Sequence, residues 1–183
     1  MFSKRIVLLV VSLVSLLSAG DNTERLGGKT QSFIGIELGG TMVQADIVGD
    51  FGEELNHKGT GLSFGLRLGA QNTQWRSMLF LDYFDSKGDN QNYERLGVQV
   101  DYFLVSSMLE SSAFRPYIGL NGSYLNYEST DIDESGFGYG GEIGFVVAIN
   151  QMIDLDLEYR YSVSSFDRMA NVGSVVLGLH YVY

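Results

Sequence analysis

The chain has 183 residues, a length that suits one domain. It carries 23 glycines, 13% aromatic residues, one proline and no cysteine, which favours strands and turns and excludes a disulfide scaffold or a thiolate metal centre. Its formal charge of −10 excludes nucleic acid as a partner, because that partner needs Lys and Arg to neutralise phosphates.

Met1 to Gly20 has the layout of a cleaved secretory signal. Lys4 and Arg5 precede an apolar run from Ile6 to Leu17, and the small residues Ser18, Ala19 and Gly20 follow. The run is short for a spanning helix, and no lipobox cysteine accompanies it. Residues 21–32 are polar and read as a periplasmic lead-in, which leaves 33–183 as the patterned domain.

From Phe33 onward apolar residues recur at every second position in eight segments, the period of a strand with one face in an apolar phase. The first sets Ile34, Ile36 and Leu38 against Gly35, Glu37 and Gly39. A polar stretch from Asp46 to Thr60 reads as a loop, and the second segment then sets Leu62, Phe64, Leu66 and Leu68 against Ser63, Gly65, Arg67 and Gly69. After the turn at 71–74, Leu79, Leu81 and Tyr83 oppose Arg76, Met78, Phe80 and Asp82, with Met78 and Phe80 large for a polar face. A loop from Asp85 to Asn92 leads to Leu96, Val98, Val100 and Tyr102 against Arg95, Gly97, Gln99 and Asp101. The fifth segment sets Ile118, Leu120 and Tyr124 against Gly119, Asn121 and Ser123, with Pro116 near its start, where a missing N–H is tolerated. A loop from Glu128 to Ser135 precedes Tyr139, Ile143, Phe145 and Val147, opposite Gly140, Glu142, Gly144 and Ala148. The seventh alternates most strictly: Ile153, Leu155, Leu157, Tyr159 and Tyr161 against Asp154, Asp156, Glu158, Arg160 and Ser162. Past a loop from Val163 to Asn171, the closing VGSVVLGLHYVY places Val175, Leu177, Leu179, Tyr181 and Tyr183 on one face.

Segments of about ten residues suit a tilted strand crossing a bilayer. The polar face is rich in glycine, and tyrosines near segment ends (Tyr83, Tyr102, Tyr124, Tyr139, Tyr159, Tyr161, Tyr181, Tyr183) lie on the apolar face, as interfacial girdles require. A soluble barrel of the lipocalin kind would turn the apolar face inward and the charged row of the seventh segment to water. The run Arg115-Pro116-Tyr117-Ile118-Gly119-Leu120, the run from Ile153 to Tyr161 and the terminal Tyr181-Val182-Tyr183 resemble the small outer-membrane β-barrels of the OmpA-like and OmpX-like, porin-family type. That resemblance implies an all-β, eight-stranded antiparallel up-and-down transmembrane barrel in the outer membrane of a Gram-negative bacterium. It further implies a monomer among outer-membrane lipid and lipopolysaccharide, delivered by periplasmic chaperones and inserted by the barrel-assembly machinery, which reads Tyr181 and Tyr183.

Charges on the inner face need partners, since unpaired charge out of water is costly. Position along the strands predicts the pairs Glu37–Arg67 and Glu142–Arg160, with Arg95 and Glu158 joining one lumenal network. Eight strands leave an interior just filled by side chains, which favours a plug over a narrow porin-like channel. Hydrolysis of envelope lipids would need a serine beside a histidine; the two histidines are His57 in the first loop and an inward His180 without an evident serine. The loop carboxylates (Asp46, Asp50, Glu53, Glu54, Asp85, Asp89, Glu128, Asp131, Asp133, Glu134) lack EF-hand spacing, and Gly136–Gly141 lacks the strand-to-helix setting of a nucleotide loop. No cofactor, metal or enzymatic activity is expected. The expected role is structural or interactive at the cell surface (envelope integrity, adhesion or host-factor resistance), with extracellular ligands met through the loops.

Overall fold

The computed structural model describes residues 30–48, 54–86, 91–104, 114–128, 133–165 and 169–183. They form eight strands: β1 (Gln31–Val48), β2 (Glu54–Gln71), β3 (Trp75–Ser86), β4 (Asn92–Phe103), β5 (Phe114–Glu128), β6 (Asp133–Ala148), β7 (Ile153–Ser164) and β8 (Met169–Val182). Each pairs antiparallel with the next, and β8 returns to β1, so the sheet closes without an edge along the barrel wall. The closure is zipped to the last residue: Ser32 and Tyr183 exchange backbone hydrogen bonds of 3.1 and 2.9 Å. The start of β1, the end of β8 and the β2–β3, β4–β5 and β6–β7 connections share one end, here the terminal end; the other four connections lie at the loop end.

Two terminal-end turns are closed by an asparagine side chain, which mimics a backbone turn. Asn72 Oδ1 accepts from the N–H groups of Gln74 and Trp75, both at 2.8 Å, and Asn150 Oδ1 accepts from Met152 N at 2.8 Å.

The alternation places its apolar face outward. Leu62 and Leu120 are 71% and 74% exposed, and Ile36, Leu38, Phe64, Ile143 and Leu177 are also open. All eight girdle tyrosines point out or lie at the outer surface. Aromatic pairs mark the two rims: Trp75–Tyr102 and Phe114–Phe145 (ring centres 4.9 and 5.0 Å apart) at the terminal end, and Tyr124–Phe137 (5.4 Å) at the loop end. An apolar exterior of this extent would aggregate in water; in a bilayer it is the solvent-matched face, and closure pairs the strand backbones within the barrel wall without water. The barrel is transmembrane.

Four strand boundaries differ from the sequence reading. The Asp46–Thr60 stretch is largely paired strand: β1 runs to Val48, β2 starts at Glu54, and His57 stands opposite Ala45 in their ladder. The hairpin continues beyond the last β2–β3 pair, Gly61↔Ser86. Beyond the apolar belt a strand no longer needs an apolar outer face, so pairing persists while the alternation that reveals a strand disappears. Likewise β6 already begins at Asp133 and β8 at Met169, within the stretches read as loops. The signal segment and the carboxylates Asp50, Glu53, Asp89 and Asp131 fall outside the described residues.

The interior has three layers. A charged middle is capped at the loop end by Val43, Phe84, Tyr93, Leu125, Tyr127 and Val172. Toward the terminal end lie Phe33, Met78 and Val182 on one side and Phe103, Tyr117 and Val146 on the other. The charged network is therefore flanked by apolar clusters on both sides. The lumen's two outsized residues fit for separate reasons. Met78 belongs to the terminal-end cluster, while Phe80 lies opposite Gly97 in the β3–β4 ladder and fills the room that glycine leaves. A Cβ on Gly97 would collide with the Phe80 ring. Gly97→Val should therefore cost about 1–3 kcal/mol by overpacking, read as a lower urea midpoint, and Phe80→Ala in the same chain should recover part of it.

Candidate functional site

Every second residue of β7 faces the lumen, which places Asp154, Asp156, Glu158 and Arg160 in one inward column. Arg67 of β2 and Arg76 of β3 reach it, Arg95 of β4 joins through Asp82, and all three are at most 1% exposed, as is Arg160. Arg67 bridges three carboxylates, with Nε on Glu37, Nη1 on Asp156 at 2.6 Å and Nη2 on Glu158 at 2.8 Å. Arg160 also meets three: Glu158 at 2.6 Å, Glu37 at 3.2 Å and Asp82 at 3.3 Å. Arg95 adds Asp82 from the β4 side, with Nε at 2.8 Å. Arg76 ties Asp101 at 2.6 Å to Asp156 at 2.9 Å. Four arginines and five carboxylates thus form one continuous network through the barrel axis.

The guanidinium faces are used as well as their edges. Arg160 and Arg95 lie over the Phe80 ring at 4.3 and 5.1 Å, and Arg76 lies over Tyr117 at 4.4 Å. These planar cations prefer such faces, and lysine would not satisfy them equally. The Tyr117 hydroxyl lies 2.8 Å from Asp156 Oδ1 and 2.7 Å from Glu158 Oε2, and Gln99 Nε2 donates to Asp101 at 3.0 Å and Glu158 at 3.2 Å. Nearer the terminal end, Asp154 receives Arg115 at 3.0 Å and Gln71 at 2.9 Å. Toward the loop end, Thr41 links the hydroxyls of Ser63 and Ser174 at 3.0 and 2.9 Å.

Glu37 and Arg67 meet directly, Glu158 joins them, and Arg95 enters through Asp82. The expected Glu142–Arg160 pair does not form. The two are register partners across β6 and β7, but Arg160 turns to Glu37, Asp82 and Glu158, while Glu142 accepts from Asn121 Nδ2. A long side chain satisfies the densest negative field within reach, and three carboxylates outweigh one neighbour. Asp82, Asp101, Asp156, Arg76 and Tyr117 were absent from the expected network, although the parity of their strands already put them inside.

His180 is buried, stacked on Phe33 at 4.7 Å, and its Nε2 has no hydrogen-bond partner. Among the described residues no nucleophile is poised on that atom. Among the described residues no group of three or more His, Cys, Asp or Glu is arranged to hold a metal ion. Tyr181 and Tyr183 face outward at the terminal rim, 50% and 61% exposed, with ring centres 6.2 Å apart.

No family model matches the chain, and no curated protein matches it in sequence. Solved structures do match in shape. Neisserial surface protein A (NspA) aligns over 85% of this chain and 99% of its own, with 15% identity and a TM-score of 0.67. The N-terminal β-barrel domain of Pseudomonas aeruginosa OprF aligns over 85% and 100%, with 11% identity and a TM-score of 0.53. The outer membrane enzyme PagL aligns over 81% and 98%, with 10% identity and a TM-score of 0.50. At these identities the likeness is one of fold: the chain is an eight-stranded transmembrane barrel built like the small outer-membrane β-barrel proteins.

Proposed function

We propose that this protein is a non-conducting outer-membrane barrel, a rigid stem that displays four loops at the cell surface, in envelope integrity, adhesion or resistance to host factors. The observation that carries the reading is the filled lumen, in which a continuous charge network lies beneath an apolar cap of Val43, Phe84, Tyr93, Leu125, Tyr127 and Val172. Ions gain little by entering a layer whose charges are already paired, and an apolar constriction opposes their hydration. Outer-membrane placement rests on the apolar exterior and on the company of the fold. Export by a cleaved signal, insertion guided by Tyr181 and Tyr183, and a monomeric state belong to the same proposal. Narrow-channel function is disfavoured by the same packing. The PagL fold accommodates an enzyme, but the described lumen offers His180 no serine and no hydrogen-bond partner at Nε2.

Orientation can be read from single cysteines, since the chain has none of its own. Glu128→Cys at the loop end should react with a membrane-impermeant maleimide on intact cells. Asn150→Cys at the terminal end should react only after the outer membrane is breached. The reverse pattern, or labelling of neither without lysis, would remove the surface role.

A further inference from the structure

We propose that the lumen is a proton-binding site, in which Asp156 Oδ1 carries one proton and donates it to the Tyr117 hydroxyl. Two independent counts lead there, and the first is of hydrogens. Tyr117, Asp156 and Glu158 are all buried, and the phenol oxygen lies 2.8 Å from Asp156 Oδ1 and 2.7 Å from Glu158 Oε2. Both are ordinary two-centre O–H···O lengths, so each contact needs a hydrogen of its own. A phenol brings one and an ionised carboxylate brings none. The second hydrogen therefore belongs to one of the two carboxyls.

The second count is of charge. The continuous network sets five carboxylates (Glu37, Asp82, Asp101, Asp156 and Glu158) against four guanidiniums. One proton makes up the missing positive charge, in an interior where unbalanced charge is costly. The charged groups around the network do not supply it. Asp154 and Arg115 form a pair that is neutral in itself. Glu142 of β6 adds negative charge, since its Oε1 and Asp101 Oδ1 both crowd the space over Gly119. His180 of β8 borders Asp156 at Gly178, but its Nε2 finds no acceptor and shares that border with Arg67 Nη1.

The neighbours decide which carboxyl holds the proton. Glu158 Oε2 already accepts from Gln99 Nε2 at 3.2 Å, and its Oε1 accepts from Arg67 and Arg160. A hydrogen on Oε2 would compete with that amide. On Asp156 both arginines meet Oδ2, which leaves Oδ1 to Tyr117. The chain of donors thus runs from Asp156 through Tyr117 to Glu158, and with it four negative charges face four positive ones.

The test is infrared spectroscopy of the full barrel refolded at neutral pH in ordinary and in deuterated buffer. The wild type should show the carbonyl band of a protonated carboxyl, shifted by deuterium. Asp156→Asn should remove that band and keep the wild-type urea midpoint, because an amide N–H stands in for the O–H. Glu158→Gln should lower the midpoint, since it takes an ionised partner from Arg67 and Arg160. Glu142→Gln should leave the band in place. Heat-modifiable gel mobility verifies folding of each variant. A wild type without the band, or a band that survives Asp156→Asn or disappears with Glu142→Gln, would overturn the site. So would an Asp156→Asn chain that fails to refold or loses as much stability as Glu158→Gln, because the arginines would then require an ionised Asp156.

Discussion

Arg160→Ala should lower the stability of the refolded barrel by about 3–5 kcal/mol, the range for breaking a buried ion pair from one side. The guanidinium serves Glu37, Asp82 and Glu158 together and lies on the Phe80 ring, so its removal takes one of two arginine partners from each of three buried carboxylates and uncovers an aromatic face. Arg160→Lys should recover little, because a point charge on a flexible stem does not reproduce that planar fork. Glu142→Gln should be nearly silent by comparison, since its contact to Asn121 does not depend on charge. Arg115→Ala at the terminal rim should cost less, since that side chain is 22% exposed and meets a single carboxylate. Equilibrium urea unfolding followed by gel mobility would rank these variants. An Arg160→Ala loss no larger than that of Arg115→Ala would mean that the network does not act as one unit.

Leu38→Arg should cost about 2–4 kcal/mol in a bilayer, the penalty for a basic side chain near the midplane of a transmembrane barrel. Leu38 is 58% exposed and lies opposite Phe64 and Leu177, outward residues of the flanking strands, about midway along the paired part of β1. In a water-soluble barrel the same change on an exposed leucine would be neutral or would improve solubility. Tyr183→Arg, at the terminal rim, should cost only about 0–1 kcal/mol, because the penalty fades toward the interface. Equal costs at both positions would contradict a lipid-facing belt.

The two faces of the barrel were legible in the sequence because parity is a local property. Ile153 to Ser162 shows it plainly, and Glu37 and Arg67 could be matched by position along neighbouring strands. Parity ends at the wall. Arg67 and Arg160 find partners several strands away across the lumen, a distance that depends on barrel closure and side-chain reach. For the same reason Glu142 and Arg160 share a register position and no ion pair. Phe80 looks misplaced until the β3–β4 register sets it against Gly97. The apolar cap was hidden differently. Tyr93, Tyr127 and Val172 lie at or beyond the stretches where alternation was clear, because strands that rise out of the bilayer no longer need an apolar outer face. The loop-end ladder of β1 and β2 escaped notice for that reason as well.

The central claim is that side chains close this barrel, and single-channel recording of the refolded protein in planar bilayers tests it most directly. With folding verified by gel mobility, the wild type should be silent, and Glu37→Ala should remain silent because the loop-end cap stays in place. Reproducible conductance steps in the wild type that change size in Glu37→Ala would contradict the filled lumen and make the charge network the lining of a pore.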